Sequence, residues 1–456
     1  MNITCFRLFK QGVFYIALLG VLFISGCGTT EQKVSVGEVV SENATPKPFT
    51  IAMIPDTQNY VDYTHQKDEG FAIDASEQFI EQMQAVAARS ITNGGDIVFV
   101  ASVGDVWQHQ TLLMDAEHEV RGFKRIDNPF FKGVLEVNDK ALTIEIPKAI
   151  EGYELISNAG LPFGVAPGNH DYDAMWSAKG YPPNLQKSPQ ELRMIPEDIG
   201  MLHIGGLDNF RSAFGENVAF FKNKPWYVSS YKGGANSAQT FTSGGYTFLN
   251  IALEMQPSDE VLDWAKTVIE ENPRLPTIVI THAYMDGKGE RLQGSILDLT
   301  TVDAEFHNNA NQMWNKFISQ HDQIFMLLCG HVHGQSLRVE NNVEGNKVYQ
   351  IMADYQDRGQ SGIDKGQTIT PNGQPIGLGD GWLRFLTFDM ATDVPTVKVS
   401  TYSTYYKQLS GKMDTYAAWY RKHEQPTMSD EEFYAADDYT LQLENFRQRF
   451  GKPALY

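Results

Sequence analysis

Residues 163–171 read Phe-Gly-Val-Ala-Pro-Gly-Asn-His-Asp, an apolar run that breaks at Pro167-Gly168 and delivers Asn169, His170 and Asp171. A short apolar run fits a strand covered on both faces, and side chains just past its end sit where open α/β sheets place their sites. The arrangement recurs four times. Phe49 to Ile54 runs into Pro55-Asp56-Thr57-Gln58, and Ile97 to Val103 runs into Gly104-Asp105. Thr277 to Ile280 runs into Thr281-His282, and Ile324 to Cys329 into Gly330-His331-Val332-His333.

Helical patterns separate these runs. Ala75 to Ile91 spaces Phe79, Met83 and Val86 along one face and stops at Asn93-Gly94-Gly95. Asp259 to Glu271 and Asn309 to Gln320 carry similar stripes. Strand-like alternation returns at Tyr246 to Leu253, Lys347 to Met352, Trp382 to Phe388 and Thr396 to Thr401. The order predicts an α/β protein in which two mostly mixed sheets lie between helices, a four-layer α/β/β/α sandwich over residues 49–456. Segments at about 110–160 and 172–231 are long for connections and are expected as insertions that shape a pocket; a C-terminal extension starts at about 402.

The chain has 456 residues, 42% hydrophobic, and a formal net charge of −19. That charge repels a polyanion, and no basic run tracks a phosphate backbone, so no nucleic-acid scaffold binding is expected. An anionic substrate must be drawn by something local, such as bound metal. Of the three cysteines, Cys329 follows Met326-Leu327-Leu328 and reads as an inert buried strand residue.

In chain order, Gly104-Asp105, Gly168-Asn169-His170-Asp171, His282 and Gly330-His331-Val332-His333 resemble the signature of the calcineurin-like metallophosphoesterase superfamily. The resemblance covers about residues 49–400 outside the insertions. It implies the metallophosphoesterase fold and hydrolysis of phosphate monoesters or diesters by two divalent ions (Mn, Fe, Zn or Mg). Such ions, about 3.5–4 Å apart, clamp the attacking and leaving oxygens. The resemblance puts Asp105 between the ions, Asp56 and His333 on one, and Asn169, His282 and His331 on the other. It makes His170 the residue beside the metals that protonates the leaving oxygen or stabilises the charge on the phosphoryl group, and Asp171 the residue that holds its ring. The two histidines of Gly-His-Val-His must sit in a turn, which Gly330 is expected to permit. Four positive charges less Asp56 and Asp105 leave about plus two facing the substrate.

One position departs from the pattern. Gln58 stands where most members carry histidine. Its amide oxygen either binds the first metal, as a harder and weaker ligand than imidazole, or hydrogen-bonds a bound water. A ligand-binding lipoprotein with weakened catalysis on the same fold is the alternative function. His118, His203 and His307 show no metal-like context and read as surface or structural residues.

The N-terminus reads as an address. Arg7 and Lys10 precede an apolar stretch from Val13 to Ile24 that ends in Ile24-Ser25-Gly26-Cys27, which resembles the bacterial lipobox. A signal peptide over 1–26, a lipid on Cys27 and a tether over 27–48 are expected. The protein would then be an exported, membrane-anchored lipoprotein, facing the periplasm or the cell surface, whose substrate is a phosphorylated small molecule, lipid or protein.

Overall fold

The computed structural model describes residues 46–132, 135–188, 191–370 and 373–452. The expected signal peptide, Cys27 and all but the end of the tether lie outside the described residues.

Two seven-stranded sheets form the centre. The first runs Gln408–Leu409, Thr396–Ser403, Trp382–Asp389, Phe49–Ile54, Ile97–Ser102, Phe163–Val165, with Asp438–Gln442 also paired to Thr396–Ser403. Phe49–Ile54, Ile97–Ser102 and Phe163–Val165 are parallel, and Trp382–Asp389 is antiparallel to the first of them. The second sheet has four parallel strands, Tyr246–Ala252, Thr277–Ala283, Ile324–Gly330 and Lys347–Asp354. Antiparallel partners close its edges: Gly334–Asn341 on one side, Asn236–Ser243 and Tyr227–Tyr231 on the other.

Alternation along the strands makes the layers. Ile51 and Met53 face inward and meet Phe248, Ile280, Phe325 and Leu328 of the other sheet. Ala52 and Ile54 face outward, onto Phe79, Met83 and Val86 of the Ala75–Ala88 helix and Tyr153 and Ile156 of the Ile146–Asn158 helix. Across the molecule, Leu249, Ile251 and Val279 pack on the Asp259–Glu271 and Ala310–Lys316 helices. The four-layer α/β/β/α order expected from the sequence is the one observed.

Helix starts follow their caps. Ser258 accepts from the Val261 N–H, and Asn309 forms a reciprocal capping box with Gln312. Beyond residue 402, Tyr416, Tyr420, Phe433, Leu441 and Phe446 join the core between the sheets. A small antiparallel sheet, Arg125–Ile126, Ala174–Ala178 and Leu202–Gly205, links the 110–160 and 172–231 segments. Among the described residues, no helix is long and apolar enough to cross a membrane.

Candidate metal centre

The strand ends of the two sheets meet at Asp105. This residue holds a left-handed backbone (φ 49), and its carbonyl accepts the N–H groups of Thr57 and Gln58, each at 2.9 Å. Gly104 (φ 108) comes so close to the next loop that a Cβ there would stand 2.6 Å from the Gly168 nitrogen. The absent side chain thus lets the Gly-Asp and Gly-Asn-His-Asp loops touch.

One half of the centre gathers four donor groups. His282 is fully buried, and its Nδ1 lies 2.9 Å from the Val103 carbonyl. A carbonyl can only accept, so Nδ1 carries a proton, and in the neutral ring Nε2 offers a lone pair. Around Nε2 lie Asp105 Oδ2 at 3.1 Å, Asn169 Oδ1 at 3.2 Å and His331 Nδ1 at 3.2 Å. Asp105, His282 and His331 form a group whose ligand atoms are close enough to hold one ion. The Val103 carbonyl plays the part that metal-ligating histidines require of a partner on their second nitrogen.

His331 itself takes the left-handed turn (φ 73), whereas Gly330 was expected to permit it. Gly330 serves another need: a Cβ there would collide with Asp56 Oδ1. The strained His331 backbone, whose N–H donates to Asp56 Oδ2 at 3.1 Å, aims its ring at His282.

The other half is rich in oxygen. Asp56 Oδ1, Gln58 Oε1 and Asp354 Oδ2 are buried without a hydrogen-bond partner. Unpaired buried oxygens are costly unless a cation fills the space, so these residues fit a metal ion. Gln58 Nε2 lies 3.4 Å from Asp105 Oδ2, which turns its amide toward the shared carboxylate. Asp354 was not read from the sequence. The strand expected to stop at Met352 continues to Asp354, whose buried carboxylate stands against Asp56. Burial, then the charges of Asp354 and Asp105, push the Asp56 carboxyl well above its usual range. A divalent ion held there would relieve that crowding.

His333 is the least engaged of the expected ligands. Its side chain is 43% exposed, with Nδ1 at 2.6 Å from Asp357 and Nε2 at 2.9 Å from the Gln356 amide. Asp354 Oδ2 lies 4.0 Å away. Burial opposes a charge on this ring, but the Asp357 hydrogen bond and the Asp354 charge outweigh it and push the pKa up to about 9.

His170 sits beside the donors with its backbone N–H on Asp105 Oδ1 at 2.8 Å. Its ring is held by the Gln108 carbonyl, 2.6 Å from Nδ1. The expectation that Asp171 holds this ring is therefore corrected. The Asp171 carboxylate accepts from the N–H groups of Val106 and Gly168, both at 2.8 Å, and fixes the two loops instead. Burial and the neighbouring Asp105 push its pKa up to about 8.

No family model matches the chain. Over 279 residues it is 24% identical to YvnB, an uncharacterised protein of Bacillus subtilis (strain 168). The match takes in 59% of this chain and 16% of that protein, so the chain spans about a sixth of its relative's length. Among solved structures, the chain is similar to GAP50, the anchor in the inner membrane complex of Plasmodium, at 11% identity and a TM-score of 0.35. That match covers 79% of this chain and 86% of GAP50. A dimetal phosphatase from Danio rerio matches at 11% identity and a TM-score of 0.35, covering 78% of this chain and 97% of the phosphatase. Likenesses this low carry no assignment.

Proposed function

We propose that the chain is a metallophosphoesterase that hydrolyses phosphate esters with two divalent ions held on either side of Asp105. The observation that carries this reading is the pairing of two donor sets around one shared carboxylate: ligand atoms gathered within reach of one ion on one side, and buried oxygens without a partner on the other. Asn169, His282 and His331 hold the first ion with Asp105. Asp56, Gln58, Asp354 and His333 hold the second with it. When bound, such ions supply Lewis-acid charge and an activated water for attack at phosphorus. Three carboxylates against four positive charges leave about plus one, enough to favour a phosphoryl group inside an acidic protein.

The chain's own residues do the rest. With Nδ1–H held by the Gln108 carbonyl, His170 in its doubly protonated form can give the Nε2 proton to the leaving oxygen, which leaves the ring neutral. A cavity of about 500 Å³ opens beside His333, walled by Asp357, Trp419, Lys422, His423 and Glu424. It offers the Trp419 ring to the organic part of an ester, beside one ammonium (Lys422) and two carboxylates (Asp357 and Glu424). Hydrolysis of a chromogenic phosphomonoester in heavy-oxygen water should place the label in the released phosphate. Label in the alcohol, or no turnover of either a monoester or a diester, contradicts the reading.

The oxygen-rich half is the weaker of the two. Dialysis against chelator should remove its ion first, and Mn should restore it, because carboxylate and amide oxygens suit hard cations. Asp354→Asn should weaken that ion by at least ~10-fold, and Gln58→His should tighten it and shift preference toward Zn. Metal occupancy of the three forms during dialysis checks this. Simultaneous loss of both ions in all three removes Asp354 and Gln58 from the ligand set.

The hold of Asp357 on His333 favours a second reading, a binding lipoprotein with an incomplete second metal. The turnover assay separates the two. Either protein works outside the cytoplasm, anchored through Cys27. Cys27→Ala, expressed with its leader, should move the protein from the membrane to the soluble fraction or leave it unprocessed. A mature mutant that fractionates with the membrane refutes the anchor.

A further inference from the structure

A second cluster of metal-competent side chains lies among residues that take no part in the Asp105 centre. His118, His203 and Asp303 come from three separate segments: the Ala116–Val120 helix, the Leu202–Gly205 strand and the residue just after the Leu299–Val302 helix. The sequence offered no spacing that joins them, and the expectation that His118 and His203 lack a metal-like context is overturned. They are 7%, 0% and 7% exposed, and their ligand atoms lie within 4.8 Å of one another.

The protons of both rings are placed by their partners. His118 Nδ1 faces Asp115 Oδ2 at 2.8 Å, and His203 Nδ1 faces the Ile204 carbonyl at 2.8 Å. Both partners accept, so both Nδ1 atoms carry hydrogen, and in the neutral rings both Nε2 atoms present lone pairs. Asp303 Oδ1 is taken by Arg121 at 2.6 Å, while Oδ2 stands 3.5 Å from His118 Nε2 and 3.6 Å from His203 Nε2. These three atoms have no hydrogen-bond partner. Three buried electron-rich atoms that face one another repel unless something positive lies between them, and one proton satisfies only one pair. Tetrahedral ligation at about 2.0–2.1 Å separates ligand atoms by about 3.3–3.4 Å, close to the 3.5 and 3.6 Å between Asp303 Oδ2 and the two imidazoles.

The neighbouring Asp62, His109 and Glu145 group makes the contrast. There Glu145 accepts from the Tyr63, Gln108 and His109 N–H groups and from the His109 ring, so hydrogen bonds alone account for it.

We propose that His118, His203 and Asp303 hold a further divalent cation of the zinc type, in a structural site. Two imidazoles and one carboxylate are the donors that such an ion prefers. Each Nδ1 already has the orienting partner that a ligating histidine needs. The site is closed: Trp176 stacks on the His203 ring at 4.8 Å, and Gly205 has no Cβ to keep the Asp115–His118 pair away. A third imidazole, His307, has its ring 6.1 Å from that of His203 and its Nδ1 on the Gln256 carbonyl. The ion ties the 110–160 and 172–231 segments to the stretch around Asp303, much as a disulfide would.

The test uses the full chain carrying Asp105→Asn, stripped and reloaded with Co²⁺. Whatever ion that variant keeps at its own centre, adding His118→Asn should lower bound Co²⁺ by one equivalent and remove the intense visible bands of a tetrahedral ion. Unchanged stoichiometry and spectrum overturn the site. Should His118→Asn fail to fold, an anomalous difference map at the zinc edge from crystals of unmodified protein decides: a peak among His118, His203 and Asp303 supports the site, and its absence overturns it. Both arms are independent of turnover, so a failure of the esterase reading leaves them intact.

Discussion

Asp105→Asn should abolish turnover, by more than about 10³-fold, while the fold survives. The shared carboxylate touches both donor sets, with Oδ2 at 3.1 Å from His282 Nε2 and 3.4 Å from Gln58 Nε2. Loss of one negative charge between two cations removes several kcal/mol of the electrostatics that a metal pair supplies. The backbone role of the position is retained, although the Gln58 amide loses the carboxylate oxygen that it faces. Asparagine tolerates the left-handed backbone at φ 49, and the carbonyl that accepts Thr57 and Gln58 is untouched. The new amide oxygen still accepts the His170 N–H. Metal analysis, circular dichroism and turnover together check this. Two ions at the centre with wild-type turnover eliminate the shared ligand.

His170→Asn should keep the metals and lower turnover by about 10²–10⁴-fold on esters with poor leaving groups. The ring is fixed by the Gln108 carbonyl at 2.6 Å and contributes no atom to either donor set, so its loss leaves the ligands in place. An alkoxide needs a proton as it departs, whereas a nitrophenolate does not. The deficit should therefore shrink as the leaving group becomes more acidic. An equal deficit across a series of leaving groups makes His170 a residue that positions or stabilises the phosphoryl group, with no proton transferred.

The layers and most of the donors were legible because each ligand follows an apolar run that only a doubly covered strand explains. Phe49 to Ile54 and Ile324 to Cys329 are buried along their whole lengths, and their ends meet at the centre. Asp354 escaped although Ile351-Met352-Ala353-Asp354 has the same form, an apolar run that ends in a carboxylate. The polar Gln350 within that strand masked its burial on both faces. The partner of the His170 ring was misread because adjacency in sequence does not bring Asp171 to it; the loop turns that carboxylate onto backbone N–H groups. The His118, His203 and Asp303 cluster was illegible in principle. Each residue is local to a different segment, and only the three-dimensional path of those segments brings the three together.

Turnover of a phosphate ester by chelator-stripped wild-type protein, followed as Mn is returned, decides whether hydrolysis depends on the metal pair. Hydrolysis should be absent in the stripped protein, return with added Mn, and level off once the oxygen-rich half of the Asp105 centre is filled. Full turnover in the stripped protein, or none at any Mn concentration with both halves of the centre loaded, contradicts a two-ion phosphoesterase.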